Sequence, residues 1–379
     1  MRRFPASPIT SLVDETPLYN LGESYCRELT LQELLGEDGS TRLAEFSLGY
    51  GTSAGGHELR RLLAANLGVA GDQVLVTAGA ASALSLLGLL FADGDGEVVV
   101  VRPCFPPVLA ALEGLGARIV PVPLRFEDAY RLDLDAFGSA LCTATRLVLL
   151  ASPQNPSGVT IPRDAIDEVL VAMSRACPDA LLLVDETYRE AVYGPASAQG
   201  SYASVSPRVL TCSSLSKSHG APGLRIGWLS VLQPDLHDQL RLAKFNLGIS
   251  CGTLDEFLAT ELLRRADAIL APRRAFLRDA LAVVEEWVKS HDDLVRWVRP
   301  DAGALCCIQL DPAAFGEEGL QRFFAHLAES RTLVAPGPWF GDSAFVFRLG
   351  FGYEPLDRLQ AGLDMISEAL RNACARRTV

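Results

Sequence analysis

The chain has 379 residues, of which 49% are hydrophobic and 21% charged, and its formal net charge is −12. A chain of this length exceeds one small hydrophobic core, so we expect a large domain accompanied by a smaller one. The acidic balance argues against the basic surface of nucleic-acid-binding proteins, and no nucleic-acid partner is expected.

The N-terminus and the cysteines indicate a cytoplasmic protein with no membrane partner. The first residues carry two arginines without an apolar run behind them, and the longest apolar run, residues 84–92, is too short to span a bilayer. The nine cysteines are dispersed and form no Cys-x-x-Cys pair. This distribution is typical of reduced thiols. No two histidines have metal-ligand spacing, so no metal is expected.

From about residue 57 the sequence alternates helical and strand patterns. Helical spacing predicts a helix that ends at Gly68, then a strand at 73–79 and an apolar helix at 80–91. Short apolar runs, typical of strands buried on both faces, follow at 97–103, 117–124, 145–153, 180–186, 208–214 and 226–232. The alternation predicts an α/β fold, with a mostly parallel sheet covered by helices on both faces.

After about residue 253 the pattern changes. Residues 255–291 are helical in pattern, with a break expected near Pro272, and they precede strand candidates at 303–310 and 344–351 and a helix at 359–373. We predict a large domain over 46–270, and a smaller α+β domain formed by both chain ends, 1–45 and 271–379.

Small, polar and aromatic side chains follow several of the predicted strands. In an open α/β sheet, ligands bind beyond the carboxyl ends of the strands, so these side chains are expected to meet at one site. They are Ala80 and Ala81, Phe105, Asn155, Asp185 with Tyr188, and Ser214 with Lys217.

The segment SSLSKSHGAPGLRIGW, residues 213–228, places one lysine among serines and an arginine eight positions later. An arginine fork matches the oxygens of a phosphate, and Ser214 could complete the contact with Arg225. The backbone N–H groups of Ala80 and Ala81 would lie at a helix N-terminus, which favours an anion. These groups predict the phosphate site of pyridoxal 5'-phosphate.

The remaining residues suit the ring of the same cofactor. Lys217 would form the Schiff base with its aldehyde, and Asp185 would keep the pyridine nitrogen protonated. Asn155 and Tyr188 could hydrogen-bond the ring hydroxyl, while Phe105 could stack on the ring. In the simpler alternatives Lys217 is a surface lysine, Phe105 is an ordinary core residue and NPSG is only a turn.

On these motifs the chain resembles the fold-type I pyridoxal-phosphate enzymes of the class I/II aminotransferase family. The similar segments are SSLSKSHGAPGLRIGW, SPQNPSG, VDETY, YGTSAGGHELR and FVFRLGF, in the family's order between about residues 46 and 351. The resemblance implies a homodimer in which Tyr50 reaches the partner's active site. It also implies that Arg348 binds the α-carboxylate of an amino-acid substrate, and that the segment around Gly22 closes over the substrate side chain.

The reaction has more than one candidate. Transamination, with Lys217 as acid and base, is expected from VDETY and Asn155. SKSHGAPGLRIGW, LVAPGPWFG and RLGFG are also similar to the capreomycidine-synthase branch, whose enzymes eliminate and close a ring on hydroxylated arginine. The charged segment ESYCRE, with Phe105 and Ser157, departs from the usual family pattern and leaves a cyclase or lyase open. A non-catalytic, regulatory role is the remote alternative.

Overall fold

The computed structural model describes residues 5–91, 96–193 and 200–374. The helices are α1 (Ser11–Asp14), α2 (Leu31–Leu35), α3 (Gly39–Ala44), α4 (His57–Leu67), α5 (Gly79–Phe91), α6 (Pro106–Leu115), α7 (Leu134–Ala140), α8 (Arg163–Ala176), α9 (Pro234–Gly248), α10 (Thr253–Arg264), α11 (Ala266–Lys289), α12 (Pro312–Glu329) and α13 (Leu356–Ala373). The strands are β1 (Tyr19–Asn20), β2 (Val74–Thr77), β3 (Glu97–Arg102), β4 (Arg118–Pro123), β5 (Thr145–Ala151), β6 (Leu181–Asp185), β7 (Val209–Ser214), β8 (Gly227–Ser230), β9 (Val295–Val298), β10 (Leu305–Leu310), β11 (Thr332–Leu333), β12 (Ala335–Pro336) and β13 (Val346–Gly350).

The central sheet has seven strands in the order β2-β8-β7-β6-β5-β3-β4. Only β8 runs against its neighbours, β2 and β7. Successive residues of β3 enter cores on opposite faces, Val99 and Val101 on one side and Val98 and Val100 on the other. Because both faces are covered, the strands read as continuous apolar runs, and the predicted mostly parallel sheet is confirmed.

The C-terminal part contains a second, antiparallel sheet in the order β12-β13-β10-β9. In it Arg348 lies between Cys307 of β10 and Ala335 of β12. Strand β1 pairs in parallel with β11, so residues near both chain ends meet. The division into 46–270 and the two chain ends stays a prediction.

The expected helix break near Pro272 is wrong. Helix α11 continues through Pro272, and the chain instead breaks at Arg265, between α10 and α11. Because proline has no backbone N–H, Pro272 leaves the carbonyl of Ala268, four residues earlier, without its helical donor, and the defect is confined to that turn. The long apolar face of α11, packed in the C-terminal core through Leu277, outweighs the local defect.

No disulfide joins two cysteines within the described residues. Within the described ranges, no helix combines the length and the apolar character needed to cross a membrane.

Candidate active site

A cavity of about 690 Å³ opens at the carboxyl ends of the central strands. It is bounded by the first turn of α5, the ends of β5, β6 and β7, and the N-terminal segment around residues 12–25. Most of the predicted site residues line it, namely Ala80, Ala81, Phe105, Asn155, Asp185, Tyr188, Ser214, Lys217 and Arg225. The fold therefore brings together side chains that are up to 145 positions apart.

Lys217 is half-buried, three residues beyond the end of β7. Its Nζ donates to the Oγ of Ser24 at 3.2 Å and lies 5.4 Å from the centre of the Tyr25 ring. The same Ser24 hydroxyl is 2.9 Å from the phenolic oxygen of Tyr188. The amine is thus held by a hydroxyl rather than by a carboxylate.

Asp185 ends β6 and accepts hydrogen bonds from Thr187, from Oγ1 at 2.5 Å and from the backbone N–H at 3.0 Å. Burial raises the pKa of its carboxyl, although the Thr187 hydrogen bonds and the charge of Lys217 act in the opposite direction. In the described part of the chain Asp185 forms no ion pair. A buried carboxylate of this kind fits a charged N–H donor such as a protonated pyridine nitrogen.

The N-terminus of α5 forms the end of the cavity that suits an anion. Gly79 has φ of +76°, and a Cβ there would collide with the guanidinium of Arg225. Gly227 of β8 lies so close that its own Cβ would meet the backbone of Gly79 and Ala80. The two glycines therefore let Arg225 and β8 approach the exposed N–H groups of the helix, which is the arrangement that binds phosphate.

Arg348 and Gly22 lie behind the cavity rather than in its wall. The Arg348 guanidinium is buried, donating from Nη1 to Oδ1 of Asn155 at 2.8 Å and from Nη2 to the carbonyl of Gly22 at 2.6 Å. Burial lowers the pKa of this guanidinium, and among the described residues its Nε has no hydrogen-bond partner. Because Oδ1 of Asn155 is taken, its amide N–H groups remain for a ligand in the cavity.

Tyr50 does not contribute to the cavity of its own chain. Its side chain is 86% exposed and does not line the wall. The sequence prediction that it serves a neighbouring subunit stays a prediction.

Several cavity residues were missed by the sequence analysis. Glu15, Asn20, Glu23 and Tyr25 of the N-terminal segment line the cavity. The unusual charge and bulk of ESYCRE, residues 23–28, are a sequence signal for Glu23 and Tyr25, but Glu15 and Asn20 lie outside that segment. The sequence alone did not show which of its side chains face the cavity.

The chain matches the family model for class I and II aminotransferases over residues 18–343. It is 31% identical to capreomycidine synthase of Streptomyces vinaceus over 97% of this chain and 94% of that protein. It is 32% identical to arginine–pyruvate transaminase AruH of Pseudomonas aeruginosa, over 80% of this chain and 74% of that protein. The crystal structure of a PLP-dependent aminotransferase from Streptococcus suis superposes with a TM-score of 0.88 at 25% identity, covering 99% of this chain and 100% of that one.

Proposed function

This chain belongs to the class I and II aminotransferases and uses pyridoxal 5'-phosphate, and we propose that it transaminates an α-amino acid with a cationic side chain. The bound cofactor supplies an electron sink for the pair of electrons left when a proton leaves the substrate's α-carbon. The chain's own residues bind and orient the substrate and move that proton.

The proposed roles follow from the cavity. Lys217 holds the cofactor and, once freed, its Nζ takes the proton from the α-carbon and returns it. Asp185 keeps a positive charge on the ring nitrogen, and Asn155 and Tyr188 donate to the ring oxygen. Arg225 binds phosphate oxygens with its planar fork. The other phosphate contacts come from Ser214 and from the N–H groups of Ala80 and Ala81, while Phe105 packs against the ring.

The observation that carries the substrate class is Glu23. Its side chain is only 7% exposed, and it lines the cavity. In the described ranges it forms no ion pair, and its carboxylate accepts one long hydrogen bond, from the N–H of Ser24 at 3.4 Å. The buried guanidinium of Arg348 acts electrostatically on this carboxylate without forming an ion pair with it in the described ranges. An ammonium or guanidinium group entering the cavity would offset the remaining cost of burying the carboxylate.

The segment that carries Glu23 is fixed in place. The Asn20 side chain accepts from the N–H groups of Gly22 and Glu23 at 3.3 and 3.2 Å, and the Asn20 N–H donates to Glu354 at 2.8 Å. The carboxylate is therefore positioned before a substrate arrives, which reduces the ordering cost of binding. The arginine–pyruvate transaminase among the relatives acts on a substrate of this charge.

Cyclisation is the second candidate. Capreomycidine synthase is similar to this chain over nearly its whole length. Loss of a β- or γ-substituent and ring closure would use the same α-proton and the same Lys217 amine. The retained Tyr188 and Asn155 favour transamination as the first proposal.

We expect Glu23→Gln to raise KM for basic amino acids roughly 10- to 100-fold, since a hydrogen bond to a charged group contributes about 1.5–3 kcal/mol. KM for neutral amino acids should change little. Steady-state kinetics with arginine, lysine and ornithine against leucine and methionine measure this difference. Glu28→Gln is the matched control, because Glu28 is exposed, lies outside the cavity wall and keeps an acceptor for Tyr25. Equal losses on basic and neutral substrates would contradict the assignment.

The proposal also includes a two-fold dimer, which is supported by an exposed apolar surface. The loop around Tyr50 packs against α9 and the start of α10. Lys244 of α9 donates to the carbonyl of Ser53 at 2.8 Å, and Thr253 of α10 donates to that of Gly49 at 3.0 Å. Exposed large apolar side chains cover this face, namely Leu48, Tyr50, Leu242, Phe245, Leu247 and Ile249. A surface of this kind marks an interface, and a second copy of the chain would place Tyr50 at the other cavity.

A further inference from the structure

Ser24 is positioned by its own segment against the lysine of the site. The N–H of Cys26 donates to the carbonyl of Lys217 at 3.1 Å, and the N–H of Leu29 donates to that of Gly220 at 2.7 Å. The N-terminal segment is thus hydrogen-bonded to the loop that carries Lys217. These backbone bonds fix the Ser24 hydroxyl relative to the amine.

The Ser24 hydroxyl joins two groups of the site. Its Oγ lies 3.2 Å from Nζ of Lys217 and 2.9 Å from the phenolic oxygen of Tyr188, and the residue is 1% exposed. A serine hydroxyl has one proton to donate and two lone pairs, whereas an ammonium can only donate. A charged Lys217 therefore donates to Ser24, and the Ser24 proton is free to point at Tyr188.

We propose that Ser24 is a positioning residue that holds the amine of Lys217 and carries a proton between it and Tyr188. When Nζ gives a proton to Oγ of Ser24, the hydroxyl proton passes to the phenolic oxygen of Tyr188. An ammonium and a phenolate become an amine and a phenol, with no other reactant. The reverse transfer recharges the amine.

This inference rests on the proposed role of Lys217 and concerns a residue outside the predicted site. Across the described ranges no carboxylate lies within 4 Å of Nζ, so the hydroxyl is the polar side chain that orients the amine. Bulk water cannot take its place easily, because Ser24 and Tyr188 are both buried. An apolar side chain of the same volume could therefore not replace the Ser24 hydroxyl in orienting the amine.

The test compares Ser24→Ala, Ser24→Thr and Ser218→Ala in the cofactor-loaded enzyme. In Ser24→Ala the N–H of the Lys217 nitrogen has lost the hydroxyl that accepts its hydrogen bond. The protonated form of that nitrogen is therefore less stable. The pH at which the visible absorption of the bound cofactor changes should fall by about one pH unit. The kcat should fall roughly tenfold or more with little change in KM, and Ser24→Thr should restore both.

Ser218→Ala is the matched control. Ser218 is next to Lys217 and is also buried, but in the part of the chain that the structure describes its hydroxyl has no hydrogen-bond partner, so its removal should leave the pH profile unchanged. An unchanged profile in Ser24→Ala, an equal shift in Ser218→Ala, or a Ser24→Thr variant that behaves like alanine would each overturn the proposal. Borohydride reduction and peptide mass analysis show separately whether the cofactor is attached at Lys217. Attachment without a shift would refute the role of Ser24 alone, whereas no attachment in the wild type would refute the role of Lys217.

Discussion

Lys217→Ala is expected to lower kcat at least 10⁴-fold, because one residue both holds the cofactor and moves the α-proton. The purified variant should bind the cofactor only non-covalently, and borohydride should leave no pyridoxyl group on any lysine. Peptide mass spectrometry and the visible spectrum measure attachment, and initial rates measure turnover. A small added primary amine should recover part of the activity, since the cavity lined by Lys217 has room for it.

Lys289→Ala is the control for that experiment. Lys289 is exposed on the last turn of α11 and pairs with Glu286 at 2.8 Å, so its loss should change neither colour nor rate. A Lys217→Ala enzyme that kept a covalent adduct or more than a small fraction of wild-type turnover would contradict the assignment of the site.

Mixed dimers of Tyr50→Ala and Lys217→Ala chains are expected to regain activity that neither variant has alone. If Tyr50 acts on the partner's cavity, the mixed dimer contains one site with both residues intact. Loss of a hydrogen bond to a charged phosphate should lower the activity of Tyr50→Ala about 10- to 100-fold. Each mixed dimer has one intact site out of two, so once isolated it should show roughly half of the wild-type activity.

Co-expression with two affinity tags isolates the mixed dimer for this measurement, and light scattering gives its mass. The double variant, with both substitutions in one chain and wild type in the other, is the matched control. It contains one wild-type Lys217 without a Tyr50 from its partner, so its activity should stay low. Equal activity in the two mixed dimers would show that Tyr50 serves neither cavity, and higher activity in the control dimer would show that it serves its own chain.

The meeting of several site residues at one end of the cavity could be predicted from the sequence, because those residues follow strands directly, whereas their contacts with the cofactor stay a prediction. Asp185 and Ser214 are the last residues of β6 and β7, so the direction of the parallel strands brings them to one edge. Lys217 and Arg225 follow within the same loop, and Gly79 marks the helix start. Local sequence order and the strand pattern were sufficient there.

The substrate end could not be predicted in the same way. Glu23 lines the cavity, and its segment is held in place by long-range hydrogen bonds, from Lys217 to Ser24 and from Arg348 to the carbonyl of Gly22. No periodicity in the sequence encodes that docking. The helix break expected at Pro272 was wrong for a different reason. The local helix-breaking effect of the proline is outweighed by the packing of α11 in the C-terminal core.

Single turnover of the cofactor-loaded enzyme with arginine, lysine or ornithine, in the absence of any keto acid, tests the central claim most directly. Transamination predicts one equivalent of keto acid per site, loss of the visible absorption, and recovery of the amino group as pyridoxamine 5'-phosphate after denaturation. Mass spectrometry of product and cofactor from one reaction measures all three. An unchanged cofactor accompanied by a ring-closed or shortened product, or turnover of neutral amino acids alone, would contradict the proposed transamination of a basic amino acid.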